Sequence, residues 1–201
     1  MKKKSGNTQI KRLISTTGKN QYLLVSAGEA AAIDVSEVHD EVGSILDGMG
    51  IGLKYLLITH AHKSHLQALG DLKNKYGGTF CLHEYEYEIY KESETALEPD
   101  RFLKDGEKLQ LGDIDIEVIL TAGHTKGSVS YYVKKAKALF SGSSFLKKGY
   151  GKIWGPQSMS LMVFSLKRLS YNIPAETTIY TGSGDLTTMG EEGWVQCLRS
   201  V

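Results

Sequence analysis

Apolar runs of strand length alternate along this chain with segments of helical spacing, and no linker-like stretch separates them. Gln21 to Ser26 and Ala30 to Ile33 predict two short strands joined by Ala27-Gly28-Glu29, and Asp34 to Val38 opens a predicted helix toward Met49. Lys54 to Thr59 is mostly apolar and ends in a hydroxyl residue, the profile of a strand buried on both faces. Leu66, Leu69, Leu72 and Tyr76 then recur at helical spacing, and Gly77-Gly78 ends the pattern. Thr79 to Leu82 predicts the next strand, and a polar helix rich in Glu and Tyr follows from Glu84 toward Glu92.

The second half repeats the alternation. Lys108 to Leu111 and Ile114 to Leu120, separated by Gly112-Asp113, predict a hairpin, and Ser128 to Val133 with Ala138 to Ser141 predict another strand pair. Ser158 is a candidate N-cap for a helix through Leu169. Thr178 to Thr181 is a last short strand before Gly182-Ser183-Gly184 and a closing helix near Met189 to Leu198. Periodicity alone distinguishes no further than α/β or α+β. Two strand-rich halves with helices fit a four-layer sandwich, helices outside two sheets.

Composition narrows the class. With 201 residues, 41% hydrophobic and 23% charged, the chain can bury one substantial core, and 1–201 is expected to form a single domain. A formal net charge of +1 supplies no general field for nucleic acid or an anionic membrane, and the basic run Lys2 to Lys4 reads as a solvating tail. No apolar stretch approaches the roughly 18 residues needed to span a bilayer, and no secretory apolar segment follows the lysines, so a cytoplasmic location is expected. Cys81 and Cys197 form no ligand pair, and Cys81 in Thr79-Phe80-Cys81-Leu82 is expected to be a buried strand thiol.

The chemistry lies in the histidines. His60, His62 and His65 stand in Leu57-Ile58-Thr59-His60-Ala61-His62-Lys63-Ser64-His65, where a core strand ends, and His124 stands in Gly123-His124-Thr125-Lys126-Gly127. Residues i and i+2 of an extended segment face the same side, so His60 and His62 can offer imidazoles to one point, while His65 approaches from another direction. The glycine-flanked loop around His124 can hold its side chain inward. Three neutral imidazoles suit zinc and leave a fourth position open, an arrangement known from catalytic sites. His83 belongs to no such spacing and is expected at the surface or a strand end.

These motifs, in this order, resemble the metallo-β-lactamase superfamily and its glyoxalase II-like (hydroxyacylglutathione hydrolase-like) branch, from the strand pair near Tyr22 to Glu192. The first run resembles His-x-His-x-Asp-His with Ser64 at the aspartate, and Thr121-Ala122-Gly123-His124-Thr125-Lys126-Gly127-Ser128 resembles Thr-Pro-Gly-His-Thr-x-Gly-Ser. Leu139-Phe140-Ser141-Gly142-Ser143-Ser144 resembles Leu-Phe-Thr-Gly-Asp-Thr. Tyr180-Thr181-Gly182-Ser183-Gly184, with Thr187-Thr188-Met189-Gly190-Glu191-Glu192, resembles the Pro-Gly-His-Gly and Thr-Thr-Ile-Gly-Glu-Glu ending.

The resemblance implies an α+β fold, a four-layer αββα sandwich. It places His60, His62 and His124 as ligands of the first metal. The second metal's positions fall on Ser64, His65 and Ser183, and the bridging aspartate falls on Ser143, so His65 is a residual ligand among lost ones. A neutral hydroxyl is a poor zinc ligand, so one zinc is expected and the second site empty or very weak. No catalytic residue is assigned, because Ser64 occupies the general-base aspartate position and cannot accept a proton near neutral pH.

Two readings follow. One is a mononuclear zinc hydrolase acting on a small thioester or ester acyl substrate through a metal-bound hydroxide; the other is a weakened or inactive pseudoenzyme serving as a binding or regulatory module. The family's iron-dependent sulfur dioxygenases use the carboxylate that Ser143 replaces, and its nucleic-acid-processing members carry insertions this chain lacks. No nucleic acid or membrane is expected as partner, and a homodimer is the assembly the resemblance implies. Lys147, Lys148, Tyr150 and Lys152 form a loop that either faces an anionic substrate or is solvated surface.

Overall fold

The computed structural model describes residues 8–36, 39–93 and 97–200; Lys2 to Lys4 and the end of the Asp34 to Val38 segment lie outside the described residues. The first sheet runs β1 (Gln9–Ile14), β2 (Asn20–Ser26), β3 (Glu29–Ile33), β4 (Leu53–Leu57), β5 (Thr79–His83) and β6 (Arg101–Leu103), in that spatial order. Its first three strands are antiparallel neighbours, whereas β3 to β6 pair in parallel. The second sheet holds β7 (Lys108–Leu111), β8 (Ile114–Leu120), β9 (Val129–Val133), β10 (Ala138–Gly142), β11 (Thr178–Thr181) and β12 (Thr187–Thr188), with β10 and β11 its parallel pair.

The period of two along the strands sorts side chains into layers. Tyr22, Leu24, Tyr55 and Leu57 of the first sheet meet Ile116, Val118, Tyr131 and Phe140 of the second, forming the core between the sheets. Their neighbours Leu23, Leu56 and Ile58 point outward, onto α1 (His39–Met49), α2 (Leu69–Tyr76) and α3 (Tyr87–Lys91). On the far side Ile119, Leu139 and Ile179 meet Met162, Leu166 and Leu169 of α4 (Pro156–Asn172) and Val195 of α5 (Gly193–Cys197). The result is an α+β αββα sandwich with three apolar layers. Truncating a fully buried side chain such as Phe140 to alanine costs about 3–5 kcal/mol in such a core.

The structure corrects several expected elements. Asp34 to Ser36 are not helical: Asp34 sits at φ 55, its carboxylate bonded to Thr59, and α1 begins at His39. The helix expected from Leu66 is a 3₁₀ turn over Lys63–His65 followed by α2 from Leu69, because the turn is used to bring His65 inward. The polar stretch from Glu84 is likewise a 3₁₀ turn, Glu84–Glu86, before α3, with Glu86 fully buried. Ser158 is not a cap. Pro156, with its preset φ, opens α4 after Gly155. The closing helix shortens to α5 plus a 3₁₀ turn at Leu198–Ser200, and β1, β6 and β12 carried no expectation.

Cys81 is buried in β5, and burial pushes its thiol up to about 12, so it packs as a neutral group. His83 ends the same strand, buried, its Nδ1 accepting from the Tyr85 amide. Among the described residues no helix is long and apolar enough to cross a membrane.

Candidate metal centre

The parallel strand β4 releases the chain at Ile58, and the loop that follows carries Thr59, His60 and His62 over the sheet edge. The second sheet contributes His124 from the loop between β8 and β9. The amide of Val129 donates to the carbonyl of Thr59 at 2.9 Å, which binds the two loops across the seam. One nitrogen from each of His60, His62 and His124 lies within 4.8 Å of the others, with His60 and His124 buried and His62 half-buried. His62 Nδ1 and His124 Nε2 are 3.1 Å apart.

The other ring nitrogens decide the tautomers. Asp34, an acceptor only, takes the Thr59 hydroxyl proton at 2.7 Å and the Thr59 amide at 2.8 Å. The Thr59 oxygen therefore accepts from His60 Nδ1 at 3.1 Å, leaving the His60 Nε2 lone pair free. The Lys152 carbonyl accepts from His124 Nδ1 at 3.0 Å, which frees His124 Nε2 in the same way. Two lone pairs facing each other repel unless a proton or cation lies between them. A proton on His62 Nδ1 meets this need in the metal-free protein, and a metal ion takes its place.

The donor set fits such an ion. Zn–N bonds of about 2.0–2.1 Å in a tetrahedron place nitrogens about 3.3 Å apart, close to the His62–His124 separation. Burial lowers the pKa of all three imidazoles, fully enclosed His60 among them, and that of His62 to about 4; the neighbouring histidines and the Lys19 ammonium add to the fall. The Lys152 hydrogen bond opposes it at His124. The three rings are thus neutral and ready to coordinate at pH 7.

His65 is buried, its ring centroid 4.2 Å from that of His60, and lies outside the three-nitrogen set. Its Nδ1 is 3.6 Å from Asp34 Oδ2, beyond hydrogen-bonding reach, and has no hydrogen-bond partner among the described residues. Ser64 lies in the 3₁₀ turn before it. Ser143 and Ser183 follow Gly142 and Gly182, whose backbones bond at 2.7 Å at the ends of β10 and β11. Ser183 also pairs with Lys19. Gly142 is held at φ 52, and a Cβ there would lie 2.3 Å from Thr59 Oγ1, so only glycine leaves room for the Thr59 relay.

The loop of Lys147, Lys148, Tyr150 and Lys152, read from sequence as either substrate-facing or solvated surface, divides in two. Lys152 and Trp154 belong to the centre: the indole Nε1 donates to the His124 carbonyl at 2.9 Å, the ring lies 6.3 Å from that of His62, and the Lys152 ammonium sits 4.0 Å over it. Trp154 is nonetheless 59% exposed, an anchored apolar wall at the mouth. Lys147 and Lys148 line a separate depression of about 450 Å³ with Leu146, Ser183 and Asp185, where Lys147 pairs with Asp185 at 3.2 Å. Asp34, Thr59 and Trp154 were not singled out by sequence. Thr59 directly precedes His60, but the left-handed turn that aims Asp34 at it leaves no compositional mark.

Known proteins match this chain in sequence and fold. The sequence profile of the metallo-beta-lactamase superfamily fits residues 16–198. The hydroxyacylglutathione hydrolase of Brucella anthropi is 31% identical over 79% of this chain and 54% of its own length; that of Bartonella quintana is 33% identical over 78% and 58%. The probable metallo-hydrolase YqgX of Bacillus subtilis is 28% identical over 84% of this chain and 86% of its own. The chain spans little more than half the length of the two hydroxyacylglutathione hydrolases. The crystal structure of the BLEG-1 B3 metallo-beta-lactamase superposes with a TM-score of 0.82 at 26% identity, over 92% of this chain and 96% of that one. By profile, by relatives and by fold, this chain belongs to the metallo-beta-lactamase superfamily.

Proposed function

We propose that this chain is a hydrolase of small acyl substrates, thioesters or esters, built on one zinc ion held by His60, His62 and His124. The observation that carries the reading is the convergence of three neutral imidazoles, two of which, His60 and His124, have their outward nitrogens fixed by Thr59 and Lys152. When bound, zinc supplies Lewis acidity, activating water and polarising a carbonyl. The protein's own part is to hold His60 and His124 in one tautomer and to present a wall. The exposed Trp154 face offers apolar surface to an acyl group, and the Lys152 ammonium above it favours a substrate carrying negative charge. The acyl preference rests on likeness to hydroxyacylglutathione hydrolases.

The second reading, a binding or regulatory module with impaired chemistry, is favoured by Ser64, Ser143 and Ser183. No carboxylate stands at those three positions to orient water or manage its proton. Metal content of protein purified without added metal tests the first reading: about one zinc per chain is expected, lost in His62→Ala. Absence of any metal overturns it. With zinc present, a panel of thioesters and esters separates the two: turnover that disappears in His62→Ala supports the hydrolase, and zinc binding without turnover supports the module.

A further inference from the structure

Glu86 is fully buried at the end of the 3₁₀ turn after β5, outside every motif discussed so far. Its carboxylate divides between the two ligand loops. Oε2 accepts the amide of Ala61, the residue between His60 and His62, at 2.8 Å. Oε1 accepts the amide of Gly127, in the loop that carries His124, also at 2.8 Å. Gly127 is packed so close that a Cβ there would lie 2.6 Å from the Glu86 nitrogen, so the loop lies directly against the Glu86 backbone as well as its side chain.

A buried carboxylate is costly unless its oxygens are satisfied, and here donors from both loops satisfy it. The two loops come from different sheets, so a single side chain with one acceptor for each sets their separation. We propose that Glu86 is the positioning residue of the metal centre, a carboxylate staple that fixes the distance between the His60/His62 loop and the His124 loop and thereby the zinc affinity. This rests on the zinc reading above. Partners that orient metal ligands from one shell out typically change affinity 10–100-fold when removed.

Glu86→Gln is isosteric but turns one acceptor into a donor, which faces one of the two backbone N–H groups and releases that loop. Competition with a chromophoric zinc chelator is expected to show zinc bound about 10–100-fold more weakly than in the parent protein. Leu46→Ala, which opens the α1 core away from the site, serves as a destabilised control and is expected to keep parental affinity. Folded Glu86→Gln with unchanged affinity overturns the proposal, as does a loss that Leu46→Ala reproduces. Should Glu86→Gln not fold, Glu86→Asp is measured instead: it keeps the charge but is too short to reach both loops, and unchanged affinity there overturns the proposal equally. A parent protein that binds no zinc defeats the functional reading alone. In that case amide exchange decides the staple: faster exchange at Ala61 or Gly127 in Glu86→Gln supports it, and unchanged protection at both overturns it.

Discussion

Thr59 has one hydroxyl proton, given to Asp34, and that leaves its oxygen for His60. Thr59→Val keeps the shape and deletes the relay, so His60 loses the partner that fixes its tautomer. Zinc affinity is expected to fall about 10-fold, measured by chelator competition, and equal affinity would remove the relay from the account. The same residues set a pH dependence. Histidines in an unfolded chain titrate near 6.5, whereas His60, His62 and His124 are lowered in the fold, His62 to about 4. Below about 6.5 the unfolded chain binds protons that the folded one refuses, so the metal-free protein loses stability as the pH falls from 6.5 toward 4. Urea midpoints are expected to drop between pH 7 and pH 5, with a smaller drop in His62→Gln; equal drops in the two proteins would contradict the assignment to His62.

At the scale of elements, most strands could be read from apolar runs, since period two and burial on both faces leave a direct trace in β2, β3, β4 and β8. The short and edge strands β1, β6 and β12 escaped, because pairing with a neighbour rather than composition makes them strands. Helix starts were least readable where the backbone serves the site: the turns at Lys63–His65 and Glu84–Glu86 place His65 and Glu86, and a helical pattern conceals both. Strand ends are where substitutions act most sharply. Gly142→Ala combines a left-handed φ with a clash against Thr59 and is expected to destabilise by more than about 1 kcal/mol, read from thermal melting. Tyr131→Phe deletes a buried hydrogen bond to the Ile58 carbonyl just before the histidine loop, an expected loss of about 1 kcal/mol, read from urea unfolding.

For the whole molecule, three apolar layers built mainly from strand and helix side chains hold the sandwich together. The metal-free protein is therefore expected to stay folded: near-UV circular dichroism after chelation should keep its native signals, and their collapse would make the ion structural. Spacing put His60 and His62 together and the family resemblance added His124, but Asp34, Glu86 and Trp154 reach the set only through tertiary contacts between segments far apart in the chain. That assembly has a mechanical corollary. His62 and His124 are 62 positions apart and come from opposite sheets. An ion shared by them is a reversible cross-link over the seam of the sandwich, closing a long loop as a disulfide would. Pulled apart at its two sheets, the loaded chain has one more clasp to break before the halves can slide than the empty chain, whose seam is held by hydrogen bonds such as Val129 to Thr59.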